Sequence, residues 1–396
     1  MRLVTSGLMA DPSEERSLTV DGNRLIPLGD GPARLRALIG LIDGARTSVR
    51  LLYYTFNPDK SGEAVRAALF RALERGVKVS LLIDGFGSSK APETYFKELH
   101  QQGATFCRFI PSYGRQYVLR NHQKLALADG ETDKPRILIG GFNVADDYFS
   151  TVEEGGWRDV GLLLEGPAAA RPLAYYDALM AWSLKPNSRL KALRAVVSHF
   201  SEAEGRLRWQ YGGPMQLRSP WVVATITDLN QANDLEMIAA YFAPMNGMLR
   251  RIGDIARRGR VRIITAAKSD NHATIDAARS TYARLLRRGV RMFEYSPTKL
   301  HSKLLIMDDV VHVGSSNFDV RSLYLNMEMM LRVEDPDFAM LMRSYFEHEI
   351  GDSKEITAAV HRRRASWIQR LRWRLGWFLV TTLDYSLARG LASSAR

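Results

Sequence analysis

The sequence predicts an α/β protein made of two pseudo-symmetric repeats, each a mixed sheet flanked by helices, with a functional site at their interface. Three observations carry this expectation. A strand–helix alternation runs through residues 31–110 and again through 235–295. A His-x-Lys-x4-Asp pattern follows each run, as Asn121-His122-Gln123-Lys124-Leu125-Ala126-Leu127-Ala128-Asp129 and as Leu300-His301-Ser302-Lys303-Leu304-Leu305-Ile306-Met307-Asp308. Each pattern is then answered by a Gly-x-x-Asn sequel, Gly140-Gly141-Phe142-Asn143 and Gly314-Ser315-Ser316-Asn317. The two histidines lie 179 residues apart in a chain of 396, so the duplication spans nearly half its length.

In the first half a lead-in strand is expected around Ser17–Leu25, then a helix over Gly31–Gly44 that buries Leu35, Leu38, Ile39 and Leu41. Ser48–Thr55 reads as a buried strand. Ser61 is a plausible N-cap for a helix running to Arg75, ended by Gly76. Val77–Asp84 is the next strand, and strand–helix–strand implies parallel pairing through a right-handed crossover. Pro92–Gly103 and Ala104–Ile110 add a helix and a strand before the first motif.

The second half repeats this order with strand Leu235–Phe242, helix Gly247–Arg258, strand Val261–Ala267, helix Thr274–Arg288 and strand Val290–Tyr295. Lys185–Pro220 is richer in Pro, Gly, Ser and Arg and has no matched partner, so it reads as a connection carrying a helix over Arg189–Phe200. The expected units are residues 1–188, a linker 189–220, residues 221–352 and a basic amphipathic tail 353–396. In that tail no acidic residue occurs from Ile356 to Leu383, whereas six arginines do. At about 100° per residue, Trp367, Ile368, Leu371, Leu375, Phe378 and Leu379 share one arc bordered by arginines. A helix lying in an anionic lipid interface is written this way, and so is a C-terminal helix packed on the body.

The net charge of +12 and a pI near 9.8 favour an anionic partner, nucleic acid or an acidic membrane surface. Cys107 is the only cysteine, which excludes an intrachain disulfide and a cysteine metal cluster. Met1–Glu15 lacks a basic region followed by an apolar run, so no signal peptide is expected, and no stretch of about 18 apolar residues suggests a spanning helix.

On a strand, a two-residue step returns to the same face, so His301 and Lys303 point together, as do His122 and Lys124. Asp308-Asp309 reads as a turn into a returning strand, Val310–Val313, which brings Gly314, Ser315 and Asn317 back beside the imidazole. An imidazole, an ammonium and small polar donors at a strand end make a phosphate pocket. His100, His199, His272, His312, His348 and His361 have no comparable pattern and read as surface or packed residues.

With both motifs in hand, the chain resembles the phospholipase D superfamily and, within it, bacterial cardiolipin synthases. The residues that carry this are Arg120–Lys124, Gly140–Asn143, Trp157-Arg158-Asp159, Tyr241–Pro244, Leu300–Lys303, Gly314–Asp319, Arg321-Ser322 and Asn326-Met327-Glu328, across roughly residues 35 to 350. It departs from the family in hairpin length: ten residues separate Asp129 from Gly140, and only five separate Asp308 from Gly314. The N-terminal membrane helices of many such synthases have no counterpart, which leaves the arginine-rich tail more to do.

The resemblance implies a metal-independent phosphatidyltransferase that needs no cofactor, acts from phosphatidylglycerol, and is held peripherally on the cytoplasmic face of an anionic membrane. Nucleic acid would not be an obligatory partner, and one chain would complete the site. His122 would attack phosphorus and His301 would act as acid and base, an assignment the pseudo-symmetry allows to be reversed. Lys124 and Lys303, with Asn143, Asn317 and Ser315, would hold the non-bridging oxygens. Asp159 and Glu328, each following its histidine at a similar place in the repeat, would fix the imidazole tautomers. Asp129 and Asp308 complete the motif and count with its catalytic residues, although their turn position suggests a structural task. Hydrolysis by water, and cleavage of nucleic acid, are the alternative reactions of such a site.

Overall fold

The computed structural model describes residues 16–111 and 119–383; the expectation of no leader at Met1–Glu15 and the last part of the tail lie outside the described residues. The first half supplies β1 (Leu18–Val20), β2 (Asn23–Leu28), β3 (Ser48–Tyr53), β4 (Lys78–Asp84), β5 (Thr105–Phe109), β6 (Leu125–Ala128), β7 (Arg136–Gly140) and β8 (Gly161–Glu165). They form one sheet in the order β1-β2-β8-β7-β6-β3-β4-β5. The second half supplies β9 (Leu207–Gly212), β10 (Asp234–Ala239), β11 (Phe242–Ala243), β12 (Arg260–Ala266), β13 (Arg291–Tyr295), β14 (Lys303–Met307), β15 (Val310–Gly314), β16 (Phe318–Asp319), β17 (Glu328–Glu334) and β18 (Ser353–Glu355). β11 and β16 pair with each other, and the rest form a sheet in the order β18-β13-β12-β10-β14-β15-β17-β9.

Seven strands of each sheet correspond in order, β1 and β18 being extra strands at opposite ends. β5-β4-β3-β6-β7-β8-β2 answers β13-β12-β10-β14-β15-β17-β9, parallel among the first three strands and antiparallel thereafter. This corrects the reading of Lys185–Pro220 as unmatched connection. Leu207–Gly212 within it is β9, the counterpart of β2, and a helix over Pro220–Gln231 follows just as Gly31–Asp43 follows β2. The signal was the alternation Leu207, Trp209, Tyr211, all of which enter the core. A smaller correction concerns the second helix, which spans Lys60–Glu74 and is capped by the Asp59 carboxylate accepting from the Gly62 N–H, not by Ser61.

Strand alternation divides the interior into three cores. Leu125 and Leu127 of β6 meet Leu304 and Ile306 of β14 in a core shared by both halves, with Tyr175 stacked on Tyr211 at 3.7 Å. Ala126 and Ala128 face the outer core of the first half, and Leu305 and Met307 that of the second. The strands are therefore apolar on both faces, as sheets covered on both sides must be.

The halves are also joined through polar groups. Arg158 sends Nε to Glu349 Oε1 at 2.7 Å and Nη1 to the Gly29 carbonyl at 3.0 Å, and both charged side chains are buried. Removing one partner of such a pair strands the other charge. Glu349→Gln is expected to lower stability by about 3 kcal/mol, read as a fall in the urea midpoint.

Candidate active site

Each motif histidine sits just before its strand, where the backbone of one half hydrogen-bonds to the other. The His122 N–H donates to the Met327 carbonyl at 2.9 Å, and the Met327 N–H donates to the Arg120 carbonyl at 2.9 Å. In the second half the His301 N–H donates to the Arg158 carbonyl at 2.6 Å, and the Arg158 N–H to the Lys299 carbonyl at 2.8 Å. These are isolated parallel bridges, Asn121 with Met327 and Arg158 with Leu300. Each one sets a histidine beside the residue that follows its bridge partner in the opposite half.

Those residues are the two carboxylates. His122 Nδ1 lies 3.0 Å from Glu328 Oε1, and His301 Nδ1 lies 2.7 Å from Asp159 Oδ2. The two carboxylates expected beside the imidazoles stand against them, but the pairing is exchanged: Glu328 meets the first-half histidine and Asp159 the second. The two dyads also differ in size. Ser315 Oγ donates to Glu328 Oε2 at 2.5 Å and accepts from the Met329 N–H at 3.0 Å. Its counterpart is Gly141, where a Cβ would stand 2.7 Å from both Asp159 oxygens and 2.8 Å from Lys303 Cδ. A shorter carboxylate thus goes with a missing side chain. Ser315 is consequently a buried support for Glu328 and not, as expected, a phosphate ligand.

Lys124 Nζ donates to the His122 carbonyl at 2.5 Å, and Lys303 Nζ donates to the His301 carbonyl. Burial is the dominant influence on all of these groups. It holds both imidazoles well below their usual range, that of His301 near 3. It lowers both ammonium groups, Lys303 to about 8, and raises the Glu328 carboxyl to about 8. Asp159 is equally buried, yet His301, Lys303 and Arg34 together hold it below the ordinary carboxylate value. With Asp159 ionised, His301 Nδ1–H donates to it and leaves Nε2 as a free base.

His122 and His301 line one cleft of about 430 Å³ together with Asn143, Asn317, Arg321, Ser322 and Asn326. Asn143 Oδ1 accepts from the Thr55 N–H at 3.0 Å, and its Nδ2 donates to Tyr148 Oη at 2.9 Å. The cleft is charged unevenly. Lys90, Arg120 and Arg321 belong to its lining, Arg120 stacked 3.9 Å over Phe86 and within 3.4 Å of Tyr54 Oη, and Tyr54 packs on His122. Around His301 lie Tyr148 and Trp157, and Asp147, Tyr241 and Asp270 also line the cleft.

Asp129 and Asp308 are not in this cleft. Five residues of extended chain, about 16 Å, carry each to the far end of its strand from the lysine. Both adopt left-handed backbone, φ 55° and 49°, a conformation Asp tolerates in turns. Asp129 accepts from the N–H groups of Arg46, Thr47 and Ser48 and from Thr47 Oγ1; Asp308 accepts from those of Asn233 and Asp234. They pin hairpin to neighbouring strand, a structural task.

Two supporting residues carried no sequence signal. Buried Arg34 donates to the Asp159 carbonyl at 2.5 Å and the Tyr148 carbonyl at 2.8 Å. Asp84, pushed up to about 6 by burial, accepts from the Asn121 N–H at 2.7 Å and so holds the approach to His122. His312, packed as expected, pairs with Asp228 at 2.7 Å away from the cleft. Among the described residues no three His, Cys, Asp or Glu side chains are grouped to hold a metal ion.

Comparison with known proteins bears on the family and the fold. The family model described as "Cardiolipin synthase, PLD-like domain" matches residues 38–164 and 225–350. Cardiolipin synthase A of Pseudomonas aeruginosa is 29% identical over 379 residues, 93% of this chain and 75% of its own. A cardiolipin synthase of Listeria monocytogenes is 27% identical over 382 residues with the same coverage. The crystal structure of phosphatidylserine synthase from Haemophilus influenzae shares the fold at a TM-score of 0.70 and 14% identity, covering 92% of this chain and 94% of that one.

Two outcomes follow from the site. Asp129→Ala is expected to cost about 2 kcal/mol of stability while the folded fraction keeps its specific activity, measured by urea titration beside turnover. His301, titrating near 3 against the usual 6.5 of an unfolded chain, makes the unfolded state bind the extra proton in between. Stability therefore falls as pH drops from 6.5 towards 3. In His301→Gln the urea midpoint should fall less steeply over that window.

Proposed function

Because the chain belongs to the phospholipase D-like family of cardiolipin synthases, we propose that it is a phosphatidyltransferase, moving a phosphatidyl group from phosphatidylglycerol to a second phosphatidylglycerol or a related alcohol. The observation that carries this reading is the pair of histidines in one cleft, each oriented by a buried carboxylate of the opposite half. An in-line displacement at a phosphodiester needs a nucleophile on one side of phosphorus and a proton source on the other. One imidazole Nε2 attacks and forms a phosphohistidine while the bond to glycerol breaks; the other imidazole, protonated, supplies the leaving oxygen's proton. It then takes the proton of the incoming alcohol as that oxygen displaces the histidine.

Lys124 and Lys303 sit beside the reacting centre in a medium of low dielectric, where a cation opposes the charge growing on the non-bridging oxygens far better than in water. Asn143 and Asn317 face the same space. The bound phosphate's negative charge would in turn raise the imidazoles and lysines towards their charged forms, so substrate binding itself protonates the acid. The cleft's polarity suits two substrates: Arg120 and Lys90 can receive the phosphate of a lipid acceptor, and Asp147 and Asp270 can receive glycerol hydroxyls. The chemistry asks for no cofactor, and a single chain completes the site.

Family resemblance gives the attack to His122. A second reading gives it to His301, because ionised Asp159 leaves that Nε2 free. A diester with a p-nitrophenyl leaving group, which departs without a proton, separates them. If His122 attacks, His301→Ala keeps the burst of p-nitrophenolate and the labelled phosphoenzyme, and His122→Ala loses both; the reverse pattern assigns His301.

The reaction itself is tested with purified protein and phosphatidylglycerol vesicles, reading products by mass. Cardiolipin plus glycerol is expected, unaffected by chelator and reduced on the order of 10³-fold or more in His122→Ala and in His301→Ala. Phosphatidic acid alone would make the protein a hydrolase. Cleavage of single-stranded nucleic acid with no lipid product would overturn the lipid reading.

A further inference from the structure

We infer that the C-terminal segment is a membrane-docking surface in which an apolar ridge inserts beside a pocket for the head group of an anionic phospholipid. Helix Trp367–Phe378 packs against helix His272–Leu286 through Trp373 and Gly376. A Cβ at position 376 would stand 2.8 Å from Asp276 Cβ and 3.1 Å from the Ala273 carbonyl oxygen, so glycine is what lets the two helices close up. Arg372 locks the contact with bonds of 2.9 and 3.0 Å to the two oxygens of Asp276. The side of the helix used for packing is opposite the apolar arc.

That arc is therefore outward. Trp367, Ile368, Leu371, Leu375, Phe378 and Leu379 are 42 to 75% exposed, and they make up six of the twelve exposed large hydrophobic residues among those described. Half of such residues in one short segment is a concentrated patch, not the scattered exposure a surface normally shows.

Alongside it lies a cavity of about 420 Å³ lined by Arg279, Arg287, Arg362, Arg370 and Arg374, with no carboxylate in the lining. Arg279 is engaged by Glu294, but Arg287, Arg362 and Arg374 make no ion pair among the described residues. Trp373 also lines the cavity; it is 4% exposed, and its indole N–H has no hydrogen-bond partner. Unpaired guanidinium groups beside a buried, unanswered donor form a site for an oxyanion such as a phosphate. Arg370 and Arg374 lie on the flank of the ridge helix itself, so a phosphate held there sits where head groups lie when the ridge reaches the acyl boundary. An apolar ridge would add nothing to the binding of a soluble polyanion. The choice of lipid rests also on the lipid reading of the active site.

Full-length protein is mixed with phosphatidylcholine vesicles with and without phosphatidylglycerol, and the bound fraction is read by flotation. Wild type is expected to bind the phosphatidylglycerol vesicles, and His122→Ala to bind equally, since docking does not use the histidines. Leu371→Asp/Leu375→Asp, which alters only exposed side chains, should weaken binding at least tenfold with an unchanged Tm. Arg287→Glu/Arg374→Glu should weaken it by roughly tenfold or more, at about 1 kcal/mol per arginine near an anionic surface. Equal binding to both vesicle types, wild-type binding by either double variant, or capture of nucleic acid in place of vesicles would overturn the inference. Vesicle binding without any lipid turnover would overturn the proposed reaction and leave the docking surface standing.

Discussion

Two pairs of backbone hydrogen bonds between the halves, Arg120–His122 with Met327 and Lys299–His301 with Arg158, are the constraint on which the site depends. Side-chain rotamers alone would not hold an imidazole against a carboxylate to within 3 Å across an interface. A backbone bridge leaves the residue after each partner, Glu328 or Asp159, only one place to go. The shared core of Leu125, Leu127, Leu304 and Ile306 keeps the two sheets at the separation these bridges need. Arg158 makes the bridge with its backbone and anchors to Glu349 with its side chain, so a single residue ties chemistry to the domain interface.

The price of such a site is burial of two histidines, two lysines and two carboxylates in one volume. Isolated, each charge would be driven to its neutral form. Together they are balanced, and the balance differs between the two dyads. Asp159 has Arg34 and Lys303 near it and stays ionised, whereas Glu328 leans on Ser315 and Asn326 hydrogen bonds. Pseudo-symmetry of fold thus coexists with asymmetry of charge, which is what the proposed division of roles between the two histidines requires.

Much of this was legible in the sequence. The repeats, the His–Lys pairs, the asparagines and both carboxylates could be picked out because they recur in the same order in each half, the His–Lys pairs also at the same spacing. The exchange of partners could not, because spacing within a repeat says nothing about contacts across an interface. Asp129 and Asp308 belong to the motif by pattern, yet strand length carries them out of the site. β9 was obscured by a composition typical of linkers, though Leu207, Trp209 and Tyr211 alternate as a strand should. The apolar stripe of the last helix was plain, but which side would face outward was decided by Gly376, whose close approach to Ala273 no periodicity reveals.

The crossing of the carboxylates also sets when the two histidine–carboxylate pairs can form during synthesis. The first-half sheet, with His122, Lys124 and Asn143, is complete once the ribosome has passed Glu165. At that stage His122 has no carboxylate and Asp159 has no histidine. Neither arrives until the chain has grown past Leu300 and then Glu328, late in the second half. A chain that stops short of β17 therefore lacks the carboxylate that stands against His122, and the first histidine gains its partner only when that late strand emerges.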